Sequence, residues 1–104
     1  MTSSHREAVR TAAERLESLA GRTTGGDWRI GGLLASRPEV IAHRVDGTEH
    51  VAEARAGTAA WITTLSPAIA GPLVSWLRSA ADGDTVDPVA VTLARTLLDR
   101  LPHS

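Results

Sequence analysis

The stretch Glu39-Val40-Ile41-Ala42-His43-Arg44-Val45-Asp46-Gly47-Thr48-Glu49-His50-Val51-Ala52-Glu53-Ala54 decides the fold, because it sets two strand-like runs on either side of Asp-Gly. That dipeptide is favoured in two-residue hairpin turns, whose central positions both need positive φ. A turn at Asp46-Gly47 predicts Arg44 opposite Glu49, His43 opposite His50, Ala42 opposite Val51 and Ile41 opposite Ala52. One face then gathers Ile41, His43, Val45, His50 and Ala52, and the other gathers the charges. Working upstream, a period of two starts at Trp28. Trp28, Ile30 and Leu34 point one way and Arg29 and Leu33 the other, as in a half-buried strand. Gly31 and Gly32 weaken or bulge that strand, and Ser36-Arg37-Pro38 separates it from the hairpin. The simplest arrangement is a three-stranded antiparallel meander.

The flanks carry helical periods. Ser4 and Glu7 have capping-box spacing, and Val9, Ala12, Ala13, Leu16, Leu19 and Ala20 follow at three- and four-residue steps up to Gly21. Residues 22–27 are turn formers without an apolar side chain, hence an exposed loop. Beyond the hairpin, Ala59, Ile62 and Leu65 share a helical face that stops at Ser66-Pro67, an N-cap followed by proline. A second start at Gly71-Pro72 predicts a short turn from Pro67 and then a helix over about 72–81. Its inward stripe is Leu73, Trp76, Leu77 and Ala80, with Trp76 against the sheet or the first helix. Asp82-Gly83-Asp84 ends it. Asp87-Pro88 caps a last helix with Ala90, Leu93, Ala94, Leu97 and Leu101 on its apolar face. The expected fold is α+β: an N-terminal helix, a three-stranded antiparallel meander, then two to three C-terminal helices, in one domain over residues 1–104.

Composition narrows the function classes. The 104 residues are 42% hydrophobic with a formal charge of -1. All eleven basic residues are arginine, a bias expected of a GC-rich genome. Residues 1–55 hold eight arginines against eight acids, a balanced surface that argues against nucleic acid or an anionic membrane as partner. No arginine-rich recognition helix follows a helical turn, which disfavours a transcriptional regulator. The absence of cysteine excludes a disulfide framework, a thiolate nucleophile and a cysteine zinc site. The first residues lack the apolar core of a signal peptide, and no apolar run approaches the roughly 18 residues of a membrane span. The expected location is the cytoplasm.

No motif carries chemistry by itself. Facing His43 and His50 could share a divalent metal, but zinc takes three or four protein ligands, and only Glu39, Glu53 or another subunit could complete the set. Two hydrogen-bonded or partly exposed strand histidines are the plainer reading, and no metal or other cofactor is assigned. Ser66 and Ser75 sit in helix-cap and helix-surface contexts without a nucleophile elbow. Asp82, Asp84 and Asp87 end and cap helices, and the glycines at 25, 26, 31 and 32 match no phosphate-binding loop. No catalytic residue is named. The three tryptophans are the only aromatic residues, each able to bury on the order of 200 Å². Trp61 and Trp76 are assigned to the core, and Trp28, beside Arg29 at the strand entry, is the candidate exposed anchor. The candidate binding residues are therefore Trp28, Arg29, His43, Arg44 and His50.

The order Asp27-Trp28-Arg29-Ile30, a short hairpin ending Val51-Ala52-Glu53-Ala54, then Ala59-Ala60-Trp61-Ile62, Ser66-Pro67-Ala68 and a Leu-rich helix resembles the small Ead-like proteins of phages and prophages. Their pattern is a Pro-Trp-Arg strand, a hairpin, an Ala-x-Phe-Ile helix, an Asn-Pro or Asp-Pro cap and a final Leu-rich helix. The likeness covers roughly residues 24–81. Gly26-Asp27 replaces the family's turn and proline, and the helix over 87–101 is additional. The resemblance implies a phage or mobile-element origin in an actinobacterial setting, and it supplies no catalytic residue. The expected function is that of a non-enzymatic binding or modulator protein, a homodimer acting on a protein partner in host takeover or anti-defence. The alternative is a small-ligand or metal-binding protein, or an enzyme, with its site around residues 39–54.

Overall fold

The computed structural model describes residues 2–32 and 38–102. Leu33, Leu34, Ser36 and Arg37, to which the sequence assigned a strand end and a break, lie outside the described residues. The element order is α1 (Thr2–Gly21), β1 (Asp27–Gly31), β2 (Glu39–Arg44), β3 (Gly47–Glu53), α2 (Ala56–Thr64), a 3-10 turn (Pro67–Ile69), α3 (Ala70–Asp82) and α4 (Pro88–Arg100). This is the α+β arrangement expected from the sequence. The chain forms two compact units, one of Met1–Arg22 with Ala70–Ser104 and one of Thr23–Ile69.

The helical unit comprises α1, α3 and α4. Val9, Ala12 and Ala13 of α1 are fully buried and meet Val74, Leu77 and Ala81 of α3 and Val91 and Ala94 of α4. Small side chains dominate these faces, which lets the helices approach closely. The stripe on α3 differs from the expected one: Val74, Leu77 and Ala81 point inward, and Trp76 stands 44% exposed. α3 also starts before Pro72, which occupies its first turn, where a missing N–H costs nothing because that donor has no intrahelical acceptor. Likewise α1 begins at Thr2, so Ser4 lies inside the helix and the Ser4–Glu7 box does not start it. Serine and threonine disfavour a helix by only a few tenths of a kcal/mol, too little to stop it a turn later.

Polar contacts close the ends of this unit. The Arg6 guanidinium donates to the carbonyls of Ala81 and Gly83, the latter at 2.8 Å, so α1 satisfies carbonyls that α3 leaves orphaned at its C-terminus. Arg10 pairs with Asp82 at 3.1 Å, and Arg78 grips Glu17 through both terminal nitrogens at 3.0 and 3.1 Å. Hydrogen bonding from Arg78, then its charge, holds the Glu17 carboxyl below its ordinary range. Asp87 caps α4 as expected, accepting from the Val89 N–H at 2.8 Å.

The second unit is the antiparallel sheet β1-β2-β3 with α2 packed against β1 and β2. β1 pairs with β2 in unbroken register from Asp27 opposite His43 to Gly31 opposite Glu39. Gly26, at φ +93°, makes the entry to β1: a Cβ there would lie 2.6 Å from the His43 carbonyl oxygen. The hairpin turn sits one residue earlier than the sequence suggested. Arg44 pairs with Gly47, leaving Val45 and Asp46 as the turn. A turn centred on Asp46-Gly47 requires Asp46 in the left-handed region, and among the described residues only glycines take positive φ. Gly47, at φ +144°, absorbs the reversal as the first residue of β3.

That shift moves every pair. His43 lies opposite Thr48 and His50 opposite Ile41, so the two histidines do not face each other. A second irregularity follows, because Ile41 pairs with His50 but Val40 pairs with Ala52, which leaves Val51 as the extra residue of a bulge. The bulge reverses the parity of β3, and Ala52 joins the face of Val40. The face that packs toward α2 therefore carries Trp28, Ile30, Val40, Ala42 and Ala52, with Val40 and Ala42 fully buried. Ile41, His43 and His50, expected on an apolar face, share the open face with Asp27 and Arg29.

Candidate functional site

The register divides the five candidate binding residues between the two faces of the sheet. Arg29, His43 and His50 come to the open face. Arg29 donates from Nε to Asp27 Oδ2 at 2.6 Å, an exposed pair one residue to either side of Trp28. His43 and His50 are diagonal neighbours across β2 and β3, both exposed. Diagonal positions stand about 7–8 Å apart at the backbone, wider than directly opposed ones. Among the described residues no group of three or more His, Asp or Glu side chains is placed to hold a metal ion.

Trp28 and Arg44 belong to the other face. The Trp28 side chain is half-buried and its indole N–H donates to the Thr24 carbonyl at 3.1 Å. Thr24 Oγ1 in turn donates to Glu49 Oε2 at 2.7 Å, and Arg44 donates to Glu49 Oε1 at 3.3 Å. Trp28 therefore fixes the loop before β1 and is not a free anchor. Arg44, within 3.8 Å of Asp46 as well, pins the hairpin turn to β3.

The exposed aromatic of this unit is one the sequence placed in the core. Trp61 on α2 is 68% exposed, Leu65 one helical turn on is 49% exposed, and Ile69 in the following turn is 40% exposed. Of α2 only Ala59 is buried. The reason is compositional. α2 has no charged or strongly polar side chain on any side, so its apolar face is wider than the one stripe a small sheet can cover. The signal was available: no charge occurs from residue 56 to residue 77, between Arg55 and Arg78.

By length and composition that region corrects the expectation about apolar runs, since within Ala56–Asp82 an 18-residue window reaches a mean hydropathy of 1.2, 17% of it buried. It is folded as α2, the 3-10 turn and α3. Comparison with protein-family models, curated proteins and solved structures yields no match.

Proposed function

We propose that the protein is a non-enzymatic binding protein that works through protein–protein contacts, with the exposed side of α2 and the turn after it as its contact surface. What carries the reading is Trp61, a large amphipathic side chain two-thirds exposed on a helix without a charge. Tryptophan is enriched among the residues that carry most of the binding energy of protein interfaces, and Leu65 and Ile69 extend the apolar area around it. Protein is favoured over lipid as the occupant because α3, the second half of the uncharged stretch, spends Val74, Leu77 and Ala81 on the helical core. The protein acts in the cytoplasm as a homodimer, and the Ead-like sequence pattern supports reading it as a phage or mobile-element modulator of a host process.

The test is affinity capture from host lysate with the wild-type chain, Trp61→Ser and Trp76→Ser. A protein retained by wild type and by Trp76→Ser, and lost with Trp61→Ser at unchanged melting temperature, supports the reading. Equal retention by all three chains overturns the surface assignment. A second reading follows from Arg29, His43 and His50 sharing the open face, which suits a small anionic ligand or a metal bridged with another subunit. Native mass measurement of the purified chain distinguishes it: a bound small molecule or metal lost with His43→Ala selects the second reading over the first.

A further inference from the structure

We infer that two copies of this chain pair along the outer edge of β1, antiparallel, with Trp28 opposite Trp28 of the second copy and Asp27 opposite its Arg29. The inference rests on the homodimer reading above and names the surface and register that it uses. The sheet has two edges, and they are not equivalent. β3 is interrupted by the Val51 bulge and carries Glu49 and Glu53, and bulges and charge are both devices that discourage further strand pairing. β1 runs without irregularity against β2. Beyond that ladder, no backbone hydrogen bond engages residues 27–31 among the described residues. Its outward N–H and C=O groups thus stand in regular order.

The side chains of this edge are self-complementary in one register. A two-fold axis at Trp28 sets each Asp27 directly across from an Arg29, on the open face of the sheet. Within one chain Arg29 uses Nε for Asp27, and its two terminal nitrogens make no hydrogen bond among the described residues. They are the donors that a second carboxylate needs, and four alternating charges then close a ring. On the other face the Trp28 side chains meet, and Ile30, 48% exposed in the single chain, lies across from Gly26. Sliding the copies to the next register of the same parity puts Arg29 against Arg29 and Asp27 against Gly31, which sets like charges directly opposite.

The test uses full-length Asp27→Arg and Arg29→Asp, alone and mixed, followed by sedimentation equilibrium and native mass measurement. Each variant alone faces like charges across the edge and self-associates about tenfold more weakly than wild type. Mixed, the two restore opposite charges between copies, and a heterodimer of wild-type strength is expected. The in-chain Asp27–Arg29 pair is missing from both variants, so its loss cannot account for that rescue. Self-association of Asp27→Arg equal to wild type, or a mixture showing no preference for the heterodimer, overturns the edge and register while the homodimer reading stands. A wild-type chain that remains monomeric at every concentration overturns both.

Discussion

The helical unit and the sheet unit treat apolar surface in opposite ways. In α1, α3 and α4 the inward stripes close on one another: Val9, Ala12, Ala13, Leu77, Ala81 and Ala94 are fully buried, and Arg6 satisfies the free end of α3. Among the described residues of the sheet unit the fully buried apolar ones are the small Val40, Ala42 and Ala59, and the large Ile30, Trp61, Leu65 and Ile69 remain in contact with solvent. The difference is one of supply. Three amphipathic helices have three stripes to bury and three partners to bury them. A three-stranded sheet has one inner face, and α2 offers apolar surface on every side. In so small a chain, burial is completed in the bundle and leaves a surplus of apolar surface on α2.

Substitutions can break that contrast, and the largest effect is expected at Leu77, the bulkiest fully buried side chain among the described residues. Leu77→Ala removes about 3 kcal/mol of stability through lost burial and the cavity left behind, read as a lower urea midpoint. Amide exchange should rise first in α1, α3 and α4. Equal acceleration in β1–β3 would mean that the two units unfold as one. Next comes Trp28→Ala. The side chain is half-buried and holds Thr24 through its indole N–H, so a loss of about 2 kcal/mol is expected, with exchange rising in β1 and β2. An unchanged midpoint would return Trp28 to the role of free anchor.

Legibility in the sequence followed the same division. The order of helices and strands could be read because periods of 3.6 and 2 are imposed by backbone geometry, and the Asp87-Pro88 cap because its chemistry is local. The hairpin register could not, since it turned on whether Asp46 pays the cost of a left-handed backbone, and a one-residue difference changes every pair. The bulge at Val51 had no composition signal, and it alone decides which face Ala52 joins. The tryptophans were misassigned for one physical reason. Apolarity states what a side chain gains by burial, but whether it is buried depends on how much complementary surface the fold supplies. For Trp28, Thr24 supplies an acceptor; for Trp61, α2 exceeds what the sheet can cover.

Trp61→Ser therefore sharpens the contrast from the other side. A side chain with most of its surface already in water should cost the fold no more than about 0.5 kcal/mol, measured by the same urea midpoint. A loss comparable with that of Trp28→Ala would mean that Trp61 packs in solution, and the proposed contact surface would have to be abandoned.

The smallest effect belongs to Glu17→Gln, and it tests whether charge contributes to the helical unit at all. Arg78 holds the Glu17 carboxyl below its ordinary value of 4.5, first by hydrogen bonding and then by its charge. A carboxyl whose value falls on folding adds stability that is fully present above the unfolded value and is lost as pH drops through the folded one. Melting temperature followed against pH should show wild type slightly above Glu17→Gln at neutral pH, the two curves converging as pH falls below 4.5. Both partners are exposed, so high salt should erase most of the gap. A gap that survives salt and persists in acid would overturn the assignment to the ion pair, because glutamine keeps the same stem and differs from glutamate at the terminal group alone.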